Sequence, residues 1–338
     1  MPMRSFLLSL AAICFLAAPA RAGDGPAVMP WGVPWDQGAD DCAKRVHEPL
    51  EIRRYNAKTY VLRENLCATW EAPFMYLLIG SRKALLIDTG DVADRQKVAL
   101  ASVVAGLLTH NDISSLIVAH THRHLDHRAG DPQFAHLRRV QLVGYDLDSV
   151  KRFYGFAHWP NGVARLDLGN RVVDVIPSPG HNETHVVFYD ENTALLFSGD
   201  FLMPGRLLID DPAADLASAN RVAEFVRSRP VSAVLGGHVE LDAAGDTFDW
   251  ESTYHPHEHA LALTKADVLA LPAAVAKFNG FYGTTDRFLM IDATRNLLVA
   301  VIGVIVVFLA LMTGVILVFG RWRRGRRHAG NAQKLNRP

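Results

Sequence analysis

The run His120-Thr121-His122-Arg123-His124-Leu125-Asp126-His127 sets three imidazoles and one carboxylate within six consecutive residues, His122 to His127. All four side chains can ligate a transition metal. The His122-x-His124-x-Asp126 alternation is not helical, because helical ligands recur at i and i+4. Side chains two apart point the same way only in extended or turning backbone. The run Ser115 to Ala119 just before it is a short, apolar, β-branched strand. The donors therefore belong on the loop leaving the C-terminal end of a strand, where open α/β sheets place their ligand sites. The bland alternative is a histidine-rich surface loop. Three further strand ends weigh against it. Pro177-Ser178-Pro179-Gly180-His181 follows Val172–Ile176, with a rigid turn to aim the imidazole. Phe197-Ser198-Gly199-Asp200 ends a strand with a carboxylate, and Gly236-Gly237-His238 ends another with an imidazole.

The elements expected to position these groups follow from periodicity. Strands are expected at 74–79 and 83–87 around a Gly80-Ser81-Arg82 hairpin turn, then at 115–119, 172–176, 185–189, 194–198 and 231–235. Helices are expected over Asp91 to Leu108, Asp146 to Phe153, Pro212 to Ser228 and Thr264 to Phe278, the last interrupted near Pro272. Strand pairs alternate with helices twice, which suggests an α/β fold in two βαβ-like halves. Ser178 and Ser198 read as structural, with no Ser-His-Asp arrangement required.

The order H-x-H-x-D-H, Gly-His, Gly-Asp, Gly-Gly-His resembles the dinuclear hydrolase pattern of the metallo-β-lactamase superfamily, over roughly Thr59 to His238. The resemblance implies a four-layer αβ/βα sandwich with the site between the sheet edges. It implies that His122, His124 and His181 hold one metal, that Asp126, His127 and His238 hold a second, and that Asp200 bridges them. Asp88, in Leu86-Ile87-Asp88-Thr89-Gly90, matches the family's early aspartate and is expected to orient a histidine or the loop; a local turn cap is the alternative. Such a donor set suits two Zn2+ per chain, with iron or manganese possible. Two ions that share a water bring its pKa toward neutrality, so that the resulting hydroxide attacks a carbonyl or phosphoryl centre. Asp126 is the candidate catalytic carboxylate, as a proton acceptor or an aid to the leaving group.

The family does not set the substrate. Asp200 is similar to the bridging residue of glyoxalase II, lactonase and phosphodiesterase-like members, which ranks β-lactam hydrolysis lower. His238 is followed by Val239-Glu240-Leu241 where glyoxalase II has a Glu-Tyr pair, and His181 by Asn182-Glu183-Thr184 where Thr-Pro-Gly is common. His185 matches a position that is not normally a ligand. His255, His257 and His259 read as a Pro-containing surface loop, with pocket lining or a further ion as the rival. The leading expectation is a hydrolase of ester, lactone or thioester bonds in a small-molecule substrate. A mononuclear iron persulfide dioxygenase and a non-catalytic binding module remain the competitors.

The chain's ends place it at a membrane. Arg4, the apolar run Phe6 to Ala18 and Ala20-Arg21-Ala22 make residues 1–22 a cleavable signal segment. Leu297 to Gly320 is 24 residues without a charge, long enough to span a bilayer. The basic tail 321–338 follows, and the positive-inside rule puts it in the cytoplasm. Both ends agree on an external domain, with a bacterial periplasm as the expected setting and a eukaryotic secretory membrane as an alternative. Between them lie an N-terminal arm (23–58), the metallo-β-lactamase-like region (59–238) and a C-terminal cap or appendage (239–296). Nine of the 35 basic residues sit in the signal and tail, leaving 26 against 35 acidic ones outside. That balance disfavours a nucleic-acid partner. Cys42 and Cys67 lie in a compartment that permits disulfides and are expected to pair, with two free thiols as the alternative. The oligomeric state is not legible.

Overall fold

The computed structural model describes residues 31–335, so the signal segment 1–22 lies outside the described residues. Fifteen strands follow in chain order. They are β1 Leu50–Asn56, β2 Thr59–Glu64, β3 Phe74–Ile79, β4 Lys83–Ile87, β5 Ser115–Ala119, β6 Val140–Leu142, β7 Ala164–Asp167, β8 Val172–Pro177, β9 Val186–Asp190, β10 Leu195–Gly199, β11 Arg206–Leu208, β12 Ala233–Gly236, β13 Ala262–Leu263, β14 Tyr282–Thr284 and β15 Leu289–Ile291. Five α-helices join them: α1 Leu100–Leu108, α2 Leu147–Tyr154, α3 Pro212–Arg227, α4 Lys265–Ala276 and α5 Ala293–Leu335.

One sheet runs β1-β2-β3-β4-β5-β6 and a second β13-β12-β10-β9-β8-β7; β11-β15-β14 form a small third sheet. Each large sheet carries one parallel βαβ unit, β4–α1–β5 and β10–α3–β12. The strands are apolar on both faces, and alternation sorts those faces. Tyr76, Leu78, Leu85, Ile87, Ile117 and Ala119 of the first sheet meet Val175, Val186, Phe188, Phe197 and Leu235 of the second. The intervening Leu77, Leu86 and Val118 pack outward under Leu100 and Val104 of α1. Val187, Leu196 and Val234 pack outward under α3 and α4. Strands covered on both sides need such continuous hydrophobic runs, and four layers αβ/βα result. Each fully buried Leu, Val or Phe contributes about 1.5–3 kcal/mol.

The rim away from the βα loops is closed by a polar clasp. Arg171 donates through Nε and Nη2 to both oxygens of Asp190 (2.9 and 2.7 Å) within the second sheet. The same guanidinium donates to Lys58 O (2.7 Å) and Thr59 Oγ1 (2.8 Å) of the first. The opposite rim, at the C-terminal ends of β4, β5, β8, β10 and β12, is where every candidate ligand emerges.

Two helix expectations are corrected. The helix expected over Asp91 to Leu108 forms only from Leu100. Glu64 captures the N–H groups of Asp91 and Val92 (2.9 and 3.2 Å), and Gln133 Nε2 donates to Val98 O (3.0 Å), so side chains take the bonds a helix would use. Pro272 does not interrupt α4, because Val268, Leu271 and Val275 are held in the core against α3. Part of the arm expected at 23–58 forms β1, paired with β2 on either side of a bulge between Arg54 and Asn56. The stretch expected as an appendage, 239–296, supplies β13, α4, β14 and β15. Glu258 within it takes both Arg63 nitrogens of β2 in a buried pair (2.6 and 2.7 Å). Cys42 and Cys67 form a disulfide that ties the arm to the turn after β2; closing a loop of 25 residues contributes about 3 kcal/mol. Helix α5 has no buried residue from Ala293 to Arg321 and is long and apolar enough to cross a membrane. It continues beyond the expected span into the basic segment.

Asp215 of α3 is buried, and burial, reinforced by the charge of Asp211, pushes its carboxyl up to about 7. A raised carboxyl binds its proton more tightly folded than unfolded. Its contribution is therefore most favourable below pH 4 and is lost as pH rises toward 7. Asp215→Asn should raise Tm at pH 8 and leave it nearly unchanged at pH 4.5. Calorimetry at both pH values checks this, and equal shifts at both would refute it.

Candidate metal centre

The loop after β5 bends at once into a short turn at Leu125–His127. It thereby brings His122, His124, Asp126 and His127 to one rim of the cleft between the sheets. The turn after β8 adds His181, the end of β10 adds Asp200, and the end of β12 adds His238. These seven form two groups of donors, His122 with His124 and His181, and Asp126 with His127, Asp200 and His238.

In the first group His122 Nε2 lies 2.9 Å from His124 Nδ1 and 3.2 Å from His181 Nε2, and the last two are 3.0 Å apart. In the second, His127 Nε2 and His238 Nε2 are 3.2 Å apart, and Asp126 Oδ2 is 3.2 Å from each. Asp200 stands between the groups. Its Oδ1 is 3.2 Å from His127 Nε2, while its Oδ2 is 3.6 Å from His181 Nε2 and 3.9 Å from His122 Nε2. Nitrogens around a tetrahedral zinc at its usual bond length sit about 3.3 Å apart, so both groups have the span of a coordination shell.

The far side of most rings is anchored, which leaves one nitrogen to face inward. Asp88, fully buried at φ 64°, accepts from His127 Nδ1 (2.9 Å), Thr121 N (2.7 Å) and Thr121 Oγ1 (2.9 Å). Thr121 Oγ1 in turn accepts from His122 Nδ1 (3.2 Å). His181 Nδ1 donates to Leu208 O and His238 Nδ1 to Glu71 O, both at 2.7 Å. His124 has the Asn182 amide beside its Nε2 at 3.1 Å. Gly237 is required by close approach: a Cβ there would lie 2.4 Å from Asp200 Oδ1 and 2.7 Å from His127 Cε1.

The two groups differ electrostatically. Burial, followed by the neighbouring imidazoles, drives His122 well below the ordinary histidine range, and burial and His181 lower His124. In the second group burial also opposes charge on the histidines, but carboxylates prevail. Asp200, Asp126 and Asp88 raise His127 well above its ordinary value, and Asp200 and Asp126 raise His238 to about 10. Burial works to raise Asp126 and Asp200 too, yet His127 and His238 hold both below the usual carboxylate range. A field that gathers protons on two buried imidazoles equally favours a cation. Asp200 Oδ1 is buried and accepts no hydrogen bond, an orphan that a ligated ion satisfies. Five neutral-capable imidazoles and two carboxylates fit a pair of divalent transition ions.

Other candidates fall elsewhere. His185 is excluded from both groups; it stacks on His122 at 5.1 Å, with Nδ1 2.8 Å from Ser178 Oγ. Ser198 Oγ donates to Leu202 O. His255 is buried against Phe248 at 4.0 Å and bonds Glu258 (3.2 Å), and His257 and His259 join no donor group among the described residues. Sequence reasoning missed Thr121 and the Leu208 and Glu71 carbonyls. Backbone carbonyls carry no residue signature, so only Thr121, inside the histidine run, was available to find.

A family model described as the metallo-beta-lactamase superfamily matches residues 68–268. A hydroxyacylglutathione hydrolase from Rhodobacter capsulatus is 34% identical over 131 residues, covering 38% of this chain and 49% of that protein. The chain thus spans about half the length of that relative. An acyl-coenzyme A thioesterase MBLAC2 from Gallus gallus is 25% identical over 248 residues, covering 62% of this chain and 85% of that protein. Among solved structures, a metallo-beta-lactamase from Pontibacter korlensis superposes with a TM-score of 0.45 at 17% identity, covering 66% of this chain and 99% of that one. With more than half of its residues matched by the family model and its donors gathered at the strand ends between two sheets, the chain belongs to the metallo-β-lactamase superfamily.

Proposed function

We propose that this protein is a membrane-anchored, extracytoplasmic hydrolase with two zinc ions, acting on the thioester or ester bond of a small molecule. The observation that carries the reading is the placement of Asp200, whose two oxygens each face one donor group. In this reading His122, His124 and His181 would hold one ion and Asp126, His127 and His238 the other, with Asp200 available to both. Bound zinc supplies a water acidified toward neutral pH and a Lewis acid for the acyl oxygen. The chain does the rest. Asp88, Leu208 O and Glu71 O hold the tautomers that point lone pairs inward. Asp126, whose side chain is 21% exposed against none for His127, lies on the open side and can take the nucleophile's proton or pass one to the leaving group. Thioesters lead because two relatives carry thioester-cleaving names. An acyl-glutathione ranks below other thioesters, because His238 is followed by Val239-Glu240-Leu241 rather than by a Glu-Tyr pair. The signal segment and the basic residues that follow the uncharged stretch Leu297 to Gly320 support the external placement.

The test is elemental analysis of the purified full-length protein, followed by turnover of an acyl-coenzyme A, an acyl-glutathione, a lactone, a phosphodiester and a β-lactam. About two zinc per chain with thioester cleavage is the expected result. One iron per chain with oxygen uptake on a persulfide would replace the reading with dioxygenase chemistry.

A further inference from the structure

The Leu208–Ile209 peptide unit is shared between the metal centre and the apolar helix. Its carbonyl accepts from His181 Nδ1 (2.7 Å), and its N–H donates to Ile291 O (2.8 Å). Ile291 ends β15, and α5 begins two residues later at Ala293. Because β15 runs parallel to β11, the chain enters α5 from the end of the small sheet that touches His181. The joint is stiff. Asp292 Oδ1 accepts from Arg295 N (2.8 Å), Asn296 N donates to Asp292 O (3.0 Å), and Asn296 Nδ2 donates to Phe281 O (2.9 Å). No glycine or proline lies between Ile291 and Leu297. At about 1.5 Å of rise per residue, Leu297 lies only about 10 Å beyond Ile291. A helix seated in a bilayer therefore carries the small sheet, and the His181 side of the centre, to the interface.

The surface at that joint suits a lipid headgroup layer. Phe281 and Tyr282 are 39% and 50% exposed, and the Arg295 guanidinium lies over the Phe281 ring at 5.4 Å. Aromatic rings and long cationic side chains favour this zone. On the metal loop itself, Leu125 stands 60% exposed between His124 and Asp126, an apolar tip at the mouth of the centre.

We propose that the β11-β15-β14 sheet docks the mouth of the metal centre onto the outer leaflet of the bilayer that α5 spans. The substrates are then thioesters or esters whose acyl chain is held in that leaflet. The docking rests on the membrane-anchored, extracytoplasmic reading above, and the substrate class rests on the hydrolase reading.

The test uses the full chain in phosphatidylcholine vesicles. A zwitterionic lipid is chosen because the external domain carries excess acidic charge. Leu125→Cys, Tyr282→Cys and, at the clasp rim, Asn170→Cys are each labelled with a fluorophore and exposed to lipid-borne nitroxide. Strong quenching at positions 125 and 282 with little at 170 is expected; quenching at 125 no greater than at 170 would overturn the docking. A second arm compares a vesicle-borne palmitoyl thioester with a water-soluble acetyl thioester. About a dozen Gly/Ser residues inserted between Asn296 and Leu297 release the domain from the surface. The insertion should lower palmitoyl turnover at least about fivefold and leave acetyl turnover unchanged, as loss of an effective-concentration advantage requires. Unchanged turnover of both would overturn the substrate class. Rim quenching with no turnover of either substrate by the parent chain would instead sink the hydrolase reading.

Discussion

Asp200→Asn is expected to lower metal content from about two ions per chain to about one, and kcat/KM for a thioester by roughly 10³-fold or more. The substitution keeps the shape of the side chain and replaces one oxygen by an amide nitrogen, which donates and cannot ligate. Oδ1 serves the His127 and His238 group and Oδ2 the His122 and His181 group, so one group must lose its carboxylate whichever way the amide turns. A thousandfold loss corresponds to about 4 kcal/mol of transition-state stabilisation, the scale on which Lewis-acid and charge effects operate in a dry site. Asp88→Asn should be milder, about 10–100-fold, because it weakens the anchor of His127 without removing an inward-facing donor. Elemental analysis and steady-state kinetics on both variants decide. Two ions retained in Asp200→Asn, with activity within tenfold of the parent, would end the bridging assignment.

Arg171→Leu is expected to destabilise the protein by about 3–5 kcal/mol while leaving metal content unchanged. Arg171 and Asp190 are almost wholly buried, and removing the guanidinium leaves the carboxylate without its partner in a low-dielectric setting. The loss is not confined to the pair, since Lys58 O and Thr59 Oγ1 across the sheet interface also lose their donor. For a domain of this size Tm should fall by roughly 10 °C. The double variant Arg171→Leu/Asp190→Leu should recover only part of that. Asp190 also accepts from Thr193 N (3.2 Å) and the Thr193 hydroxyl in the turn before β10, contacts that leucine cannot make. Denaturant unfolding with parallel metal analysis measures both effects. A ΔΔG below about 1 kcal/mol would show that the clasp is not what joins the sheets at this rim.

Residue type and place at the strand ends were enough to single out the seven candidate donors, because ligands need particular side chains. Their division into two groups came instead from the resemblance to the superfamily; the fold brings the same seven together in those two groups. Most strands were readable for a related reason. Phe74–Ile79, Lys83–Ile87 and Ser115–Ala119 are apolar runs too short for helices and bounded by turn residues, so their extent is set locally. Even the two βαβ units follow from element order. What sequence could not supply depends on partners remote along the chain. The stretch Asp91 to Ala99 has helical periodicity, but Glu64 and Gln133 claim its backbone groups from 27 to 41 residues away. Residues 239–296 looked peripheral because β11 and β12, with which β15 and β13 pair, lie earlier in the chain. The carbonyls that hold His181 and His238 were equally invisible, since every residue has one and only the fold selects which faces a ring. Chemical capacity was therefore written in residue type at short range. The anchors of the histidine rings and the stiff joint between His181 and the apolar helix were decided by tertiary structure, because each is a contact between segments that meet only when the chain folds.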